Sequence, residues 1–257
     1  MAEKILLAES KRKFDLKFLI VGSPGAGKTH LCGTYTKGPV HLYMFDPGGE
    51  KTLFKLMSNR PETSPITISK YPTQTTRFKD FWKDLQADAH NGFFDEMAEK
   101  KGLIVIDSFT SISNVIIKDI AKDSKRDLKS TDNSKMMRIQ DWGVVGAWLN
   151  ELSSAINELP CAVVATAHIH TDKDTDNAVL ARVPNIAGKL RYTIGMYFDE
   201  VYLIESRLNG HITNFKETKK FEAKTRTFDN KSVKNLNLDI LAEAYINNHT
   251  TIEGENN

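Results

Sequence analysis

One segment constrains the chain more than any other: Gly22-Ser23-Pro24-Gly25-Ala26-Gly27-Lys28-Thr29. It matches the pattern G-x-x-x-x-G-K-[ST] at every fixed position, between a strand-like run at residues 18–21 and a helical pattern. The glycines allow successive backbone N–H groups to point towards one centre, where they and the helix N-terminus bind phosphate. In such a loop Lys28 reaches the β- and γ-phosphates, and the hydroxyl of Thr29 binds Mg²⁺. The predicted site for ATP and Mg²⁺ comprises Gly22, Ser23, Pro24, Gly25, Ala26, Gly27, Lys28, Thr29 and His30.

Short apolar runs alternate with helical patterns along the rest of the chain. The strand-like runs are residues 18–21, 40–45, 103–106, 161–165 and 201–204. The first four contain almost no polar residue, which is typical of strands buried on both faces of a parallel sheet. Helical patterns cover about 76–100, a stretch after 108, and about 142–159. Beyond residue 199, two strand-like runs flank Asn209-Gly210, which is a hairpin signal. These patterns predict an α/β fold, with a mostly parallel, twisted sheet flanked by helices and a C-terminal antiparallel hairpin at its edge.

Composition limits the partners and the location. The 257 residues carry a net charge of +2 and are 40% hydrophobic, so binding to nucleic acid or to a membrane must rely on local patches. No apolar run approaches the roughly 18 residues that cross a bilayer, and the apolar run beginning at Ile5 is too short for a secretory signal. Cys32 and Cys161 lie far apart in apolar segments, as buried free thiols do in a reducing compartment. We expect a cytoplasmic protein without a membrane partner.

Residues 22–29 have the pattern of a P-loop. A P-loop ATPase also needs an acidic residue at the end of a second buried strand, close to Mg²⁺. Asp107 follows the apolar run at residues 103–106 and supplies it. Four apolar residues ending in Asp also describe an ordinary strand end, so this interpretation depends on the phosphate-binding motif. The two features together assign Thr29 and Asp107 to the magnesium site.

The residue after Asp107 indicates a branch of the P-loop ATPases. It is Ser108, where AAA-type and many helicase ATPases have Glu, and in this respect the chain resembles the RecA branch. The resemblance implies that the carboxylate that orients water comes from the end of the strand after the P-loop helix, here Asp46-Pro47-Gly48-Gly49-Glu50. The RecA pattern has Glu where this chain has Gly48, which leaves Glu50 or Asp46 for the catalytic role. The alternative for Glu50 is a solvated loop carboxylate.

The fourth buried strand is followed by His168. In RecA-like motors a Gln or His at this point contacts the γ-phosphate and begins a DNA-binding loop, so the resemblance implies that role for His168. A metal site is the competing interpretation. The residues that alternate after His168 are His170, Asp172, Asp174 and Asp176. A calcium loop would need Gly at Asn177 and Glu at Val183, and a zinc site lacks a third well-spaced ligand. A solvated loop or hairpin tip explains these polar residues more simply.

Near the C-terminal edge, Lys224 and Arg226 form a Lys-x-Arg element. RecA-like rings and filaments place such a pair against the γ-phosphate of the neighbouring subunit, so the resemblance implies self-assembly and a catalytic role for both residues. The alternative is an exposed basic strand. Over about residues 16–230 the chain is most similar to the phage-encoded, core-only RecA-like ATPases of the Sak single-strand-annealing group. Besides the P-loop, the motifs that carry this similarity are Asp46-Pro47-Gly48-Gly49, Ala167-His168, Gly188-Lys189-Leu190, Phe198-Asp199-Glu200-Val201 and Ala223-Lys224-Thr225-Arg226.

Three stretches are candidates for contact with single-stranded DNA. Residues 118–138 contain seven Lys or Arg against four Asp, residues 216–234 contain seven against three acidic residues, and residues 170–186 follow His168. Basic loops bind the phosphate backbone, and the first stretch has no aromatic residue on which a base could stack. Solvated surface is the alternative. The predicted DNA-binding residues are Lys122, Lys125, Arg126, Lys129, Lys135 and Arg138.

These observations favour an ATP-hydrolysing RecA-like protein that assembles as a ring or filament on single-stranded DNA and promotes annealing in phage recombination. A single-stranded-DNA-binding protein would be a further partner. One alternative is a nucleotide-gated assembly or loader ATPase that acts on a protein. A metabolic kinase is the other, and it is disfavoured because the sequence shows no evident lid or acceptor-binding segment. The expected organisation is an N-terminal segment at 1–15 that links subunits, an ATPase domain at 16–235, and a C-terminal helix with a frayed tail at 236–257.

Overall fold

The computed structural model describes residues 13–123, 137–218 and 220–252. In these ranges the strands are β1 (Lys17–Val21), β2 (Val40–Met44), β3 (Ile66–Lys70), β4 (Leu103–Asp107), β5 (Ala162–Ala167), β6 (Ile169–Lys173), β7 (Val179–Pro184), β8 (Glu200–Arg207), β9 (Gly210–Asn214) and β10 (Ser232–Lys234). The α-helices are α1 (Lys28–Gly33), α2 (Gly49–Met57), α3 (Phe78–His90), α4 (Phe93–Glu99), α5 (Phe109–Asp123), α6 (Ile139–Glu158) and α7 (Leu238–Ile246), and two short 3-10 helices lie at Gly188–Tyr192 and Ile194–Tyr197.

Eight strands form one sheet in the order β10-β9-β8-β1-β5-β4-β2-β3. The six strands from β8 to β3 pair in parallel. Strands β9 and β10 continue the sheet in the antiparallel sense, and the turn between β8 and β9 contains Asn209. The mostly parallel sheet and the antiparallel hairpin predicted at its C-terminal edge are therefore both confirmed. Strands β6 and β7 form a separate antiparallel hairpin.

The register of the central strands places the candidate functional segments side by side. Strand β5 lies between β1 and β4, with Ala167 opposite Val21 and Ala165 opposite Ile106. The P-loop follows β1, Asp107 ends β4, and His168 follows β5. All three therefore meet at the carboxyl edge of the sheet, where α/β proteins bind their ligands.

Hydrophobic side chains cover both faces of the sheet. On one face a cluster that includes Leu19, Phe81 and Leu149 joins the sheet to helices α3 to α6. On the other face, Phe14, Leu31 and Leu241 belong to a cluster that joins it to α1 and α7. Every residue of β1, β4 and β5 is buried, which explains why these strands contain continuous apolar runs in the sequence.

Two elements differ from the sequence-based expectations. The single helix predicted over about 76–100 is two helices, α3 and α4, separated at Gly92, whose φ of 76° suits glycine and interrupts the helix. Strand β3 has no counterpart in the predicted strands. It is the edge strand beside β2 and is only partly buried, so its alternation of polar and apolar residues carries a weak signal.

Some expectations fall partly outside the described residues. Most of the N-terminal segment at 1–15 and the last five residues of the tail belong there. Cys32 and Cys161 are buried and free, as the sequence predicts. Within the described ranges, no helix combines the length and the apolar character needed to cross a membrane.

Candidate active site

The P-loop is held against the sheet by its two fixed glycines. A Cβ atom at Gly22 would lie 2.6 Å from the carbonyl oxygen of Ile204, so only glycine fits between the loop and β8. Gly27 has a φ of 95° and forms the N-cap of α1. This left-handed conformation favours glycine and turns the loop into the helix that begins at Lys28. The N-terminus of α1 therefore faces the carboxyl edge of the sheet, where it can bind a phosphate.

The Lys28 side chain lies inside the loop. Its Nζ donates hydrogen bonds to the carbonyl oxygens of Gly22, at 2.9 Å, and Ser23, at 3.0 Å, and it lies 3.3 Å from His168 Nδ1. Burial lowers the pKa of Lys28, an effect that the nearby carboxylates of Asp107 and Asp46 oppose. The cation is thus positioned between the loop and the end of β5, close to the carboxylates of Asp107 and Asp46.

Thr29 and Asp107 form a pair that fits Mg²⁺. The Thr29 hydroxyl donates to Asp107 Oδ2 at 2.9 Å, and the Thr166 hydroxyl donates to Asp107 Oδ1 at 2.5 Å. Burial raises the pKa of Asp107, whose side chain is almost inaccessible to solvent. One hydroxyl and one carboxylate are oxygen ligands of the kind that Mg²⁺ takes together with phosphate oxygens and water. A divalent cation here would also compensate the buried negative charge.

Asp46 joins this site through His168. His168 Nε2 lies 3.1 Å from Asp46 Oδ2, and the Ser108 hydroxyl donates to Asp46 Oδ1 at 2.8 Å. The Ser111 hydroxyl also donates to Asp46 Oδ1. Burial acts to raise the pKa of Asp46, but the hydrogen bonds from His168, Ser111 and Ser108 outweigh it and lower the pKa below the usual value. A tautomer with the proton on Nε2 lets His168 accept from Lys28 and donate to Asp46. Lys28, His168 and Asp46 thus form one continuous contact chain.

Glu50, the other candidate carboxylate, lies on the side of β2 away from β4. It is in the first turn of α2, and its Oε1 is 2.8 Å from the Nζ of Lys70, at the end of β3. Strand order places β3 beyond β2, so this ion pair lies towards the sheet edge and not towards Asp107. Gly48 precedes α2 with a φ of 78°, a conformation in which the Glu of the RecA pattern would be strained. The geometry therefore favours Asp46 over Glu50 as the carboxylate that faces the phosphate.

Several residues of the site have no counterpart among the predicted ones. Ser108 and Ser111 hold Asp46, and Thr166 holds Asp107. A Ser/Thr-rich stretch directly after Asp107 is the signal that could have identified the two serines. His211, on β9, packs on the P-loop, since its ring atoms lie 3.0–3.2 Å from the position a Cβ would take at Gly27. No local sequence pattern indicates that His211 belongs to the site, because the β8–β9 hairpin is distant in sequence from the P-loop. Burial, with the nearby His211 and Lys55, lowers the pKa of His30 in helix α1.

Lys224 and Arg226 lie far from the P-loop of the same chain. Lys224 Nζ donates to the carbonyl oxygens of Phe198, at 2.5 Å, and Gly195, at 3.1 Å. The guanidinium of Arg226 is 3.0 Å from Asp199 Oδ1, and Asp199 hydrogen-bonds to the backbone of Lys17, at the start of β1. The P-loop follows the other end of β1, about 13 Å along the strand. Neither cation can therefore reach a phosphate bound to the P-loop of its own chain, and Arg226, whose side chain is 59% exposed, is the more available one for a partner.

Replacing Arg226 with alanine is expected to lower ATP turnover sharply and to leave ATP affinity unchanged, because the residue lies far from the P-loop of its own chain. Mixing this variant with Lys28→Ala protein should restore part of the turnover, since a mixed interface contains one intact site. Steady-state rates on titrated mixtures measure the effect. Loss of turnover without rescue would argue against a site shared between subunits, as would unchanged turnover.

The predicted DNA-binding residues are only partly described. Lys122 is exposed in the last turn of α5, and Arg138 is the N-cap of α6. Lys125, Arg126, Lys129 and Lys135 lie outside the described residues. Residues 170–186 form most of the β6–β7 hairpin, in agreement with the simpler interpretation of this polar stretch. Among the described residues, no group of three or more His, Cys, Asp and Glu side chains is arranged to hold a metal ion.

Comparisons with known proteins place this site in a family. Residues 15–227 match the AAA_24 family, described as an AAA domain. No curated protein is significantly similar in sequence. Among solved structures, an ATPase from the type III secretion system of pathogenic bacteria is similar at 13% identity and a TM-score of 0.43, covering 74% of this chain and 52% of that one. The assembled ATPase EscN of the enteropathogenic E. coli type III secretion system is similar at 12% identity and a TM-score of 0.43, covering 74% of this chain and 43% of that one.

This chain therefore spans about half the length of these two ATPases or less, and nothing about its function follows from similarities of this size. The family match, in contrast, includes the P-loop, Asp46, Asp107 and His168. The family is described as an AAA domain, whereas Ser108 favours the RecA branch, so the RecA-like and Sak assignments stay predictions. The chain belongs to the AAA_24 family of AAA domains, and its fold and phosphate cradle are those of a P-loop ATPase.

Proposed function

We propose that this protein hydrolyses ATP with Mg²⁺, binds single-stranded DNA and promotes annealing in recombination, as a RecA-like protein of phage origin. The observation that carries the proposal is the contact chain of Lys28, His168 and Asp46. His168 stands where the β6–β7 hairpin leaves the sheet, and its carbonyl oxygen accepts a hydrogen bond from Asn185 at the other end of the hairpin. A displacement of His168 by the γ-phosphate would therefore move the hairpin directly.

Each residue of the cradle has a defined part in hydrolysis. Lys28 and the loop amides stabilise negative charge on the phosphate oxygens. Asp46, held by Ser108 and His168, accepts a hydrogen bond from the attacking water and orients it for in-line attack. Held by Thr29 and Asp107, Mg²⁺ would supply charge neutralisation at the β- and γ-phosphates. His168 keeps the carboxylate of Asp46 close to the cation of Lys28.

The described residues at the two ends of the basic stretch 118–138 support a role for DNA. The last turns of α5 pack on the segment before α3: Lys118 Nζ donates to the carbonyl oxygen of Thr73 at 2.8 Å, and Asp119 accepts from the N–H of Phe78. Helix α3 begins beyond the carboxyl end of β3, and the N-terminal end of α6, which precedes β5, also faces this edge. The last turn of α5 and the first turn of α6 therefore both lie on the side of the phosphate site.

Self-assembly has support in an exposed apolar patch beside Lys224. Leu180, Tyr192 and Met196 are 62%, 57% and 67% exposed. Tyr192 and Met196 border the same cleft as Lys224. A cluster of large apolar side chains on the surface is typical of a protein interface. A neighbour seated on this patch would lie next to the element that contains Lys224 and Arg226.

The test is the rate of ATP hydrolysis against protein concentration, with and without single-stranded DNA. We expect turnover to rise with both, and gel shifts to show binding to DNA that requires ATP. The double variant Lys122→Ala/Arg138→Ala should weaken the DNA effect and make it less dependent on salt, because fewer phosphate contacts release fewer counterions. Lys37→Ala/Lys100→Ala removes two exposed lysines near the amino ends of the strands and serves as the matched control. Turnover that DNA leaves unchanged, without ATP-dependent binding, would contradict the proposal.

The alternative is a nucleotide-gated assembly or loader ATPase that acts on a protein. It is favoured by a second apolar surface on α6, where Ile139 is 92% and Val144 is 45% exposed. Val144 borders a cleft with Phe78 and Trp148. In that case hydrolysis would be slow and insensitive to DNA and salt, and ATP would instead promote a stable complex with a protein partner.

A further inference from the structure

The P-loop borders a second space, on the side away from Asp107. A cavity of about 410 Å³ lies between residues 23–26 of the loop, the β6–β7 hairpin and the end of β8. The backbone between the two fixed glycines of a P-loop wraps around the bound phosphates, so this cavity borders the phosphate-binding loop. Among the described residues that line it, Arg182 on β7 is the only cation.

Hydrogen bonds hold the backbone of Arg182 in place, whereas its side chain can break its contact with Glu205. Its residue pairs with Thr171 across the hairpin, and its N–H donates to the carbonyl oxygen of Lys220. Its Nη1 is 3.2 Å from Glu205 Oε1. The contact is only partly shielded from water, since the two side chains are 39% and 27% exposed. Pairs of this kind contribute little free energy.

Glu205 does not depend on Arg182 for its charge balance. Its other oxygen, Oε2, is 3.0 Å from Nη2 of Arg207 and accepts a hydrogen bond from Asn214 Nδ2 at 3.3 Å. If the guanidinium of Arg182 moves into the cavity, Glu205 therefore keeps a cation and a hydrogen-bond donor. A phosphate oxygen at the loop is the stronger acceptor, because it offers a doubly charged group to a planar donor fork.

We propose that Arg182 binds the terminal phosphate of an ATP molecule held by its own chain. Its side chain breaks the contact with Glu205 when the nucleotide binds. The inference rests on the proposed nucleotide hydrolysis and adds a residue that distinguishes ATP from ADP. Arg182 stabilises the charge that develops on the transferred phosphoryl group, while Lys28 acts from the opposite side of the loop. Since Arg182 and His168 belong to one hairpin, the γ-phosphate would hold that hairpin at two points.

The experiment compares Arg182→Ala with Arg207→Ala, which removes the other arginine on Glu205 but does not line the cavity. Arg182→Ala is expected to lower kcat by about 10²-fold and to remove the preference for a non-hydrolysable ATP analogue over ADP, measured with a fluorescent nucleotide. Arg182→Lys should keep only part of the kcat and part of the preference for the ATP analogue, because lysine lacks the bidentate donor fork of arginine. Arg207→Ala should leave kcat and the preference close to those of the unmodified protein.

A variant that should gain affinity for the ATP analogue tests whether Arg182 binds the nucleotide or only supports the fold. Glu205→Gln weakens the hold on Arg182, so we expect tighter binding of the ATP analogue and unchanged binding of ADP. Equal effects of Arg182→Ala and Arg207→Ala would overturn the proposal, as would an unmodified protein that binds both nucleotides equally. If the unmodified protein shows no turnover, the proposed hydrolysis fails, while the binding preference still decides the role of Arg182.

Discussion

Replacing Lys28 with alanine is expected to lower ATP turnover by at least about 10²-fold. The amine is the cation inside the P-loop, within hydrogen-bond distance of the Gly22 and Ser23 carbonyl oxygens and next to His168. Its removal leaves the transferred phosphoryl group without its nearest positive charge. It also leaves His168 without the donor at Nδ1. Steady-state phosphate release measures the turnover, and a fluorescent nucleotide measures the accompanying loss of affinity.

The control for this variant is Lys37→Ala, which removes the same kind of side chain from the loop between α1 and β2. Lys37 is exposed and pairs only with Glu243 among the contacts described, so its loss should change neither turnover nor melting temperature appreciably. Thermal melting of Lys28→Ala verifies that the fold persists without the buried amine. A folded Lys28→Ala protein that still hydrolyses ATP would show that the P-loop is not the active site.

Replacing Asp46 with asparagine is expected to lower turnover by about 10²-fold, with a much smaller effect on ATP affinity. Asparagine keeps an oxygen that accepts from Ser108, but it loses the negative charge that orients water and pairs with His168. The lowered pKa of Asp46, due to hydrogen bonds from His168, Ser111 and Ser108 that outweigh burial, keeps the side chain ionised at neutral pH. The kcat should therefore fall while KM changes little.

Glu50→Gln is the matched comparison, because it makes the same chemical change in the other candidate carboxylate. Glu50 pairs with Lys70 at the sheet edge, so the variant should keep nearly full turnover. The reverse pattern, with a large loss for Glu50→Gln and none for Asp46→Asn, would assign the water to Glu50. In that case α2 must move relative to β2 when the nucleotide binds.

Much of the fold could be predicted from patterns that depend only on burial. Strands β1, β4 and β5 are covered on both faces, so their sequences are continuously apolar and easily recognised. The edge strand β3 is only partly buried and was not predicted. The break at Gly92 was also missed, because an isolated glycine within a helical pattern is compatible with a continuous helix.

Some residues of the candidate site could also be predicted from local sequence, whereas others could not. Local chemistry predicted the P-loop, Asp107, Asp46 and His168 as site residues, because each lies at the end of a strand whose pattern is clear, and the structure brings them together. Sequence reasoning could not choose between Asp46 and Glu50, since both follow β2 and the choice depends on the direction of each side chain. It also gave no indication of His211 or Arg182, which reach the loop from other parts of the chain.

The sequence by itself determined the kind of ligand, because a phosphate cradle needs glycine, lysine and threonine at fixed local spacings and the backbone does the rest. It also determined the parallel sheet, through apolar runs that only burial on both faces explains. The tertiary structure decided which side chains share the cradle. Strand order set Asp46 beside His168 and turned Glu50 towards Lys70. It also placed Arg226 at the opposite end of β1 from the P-loop, because contacts between distant segments are fixed by packing and register and not by local sequence.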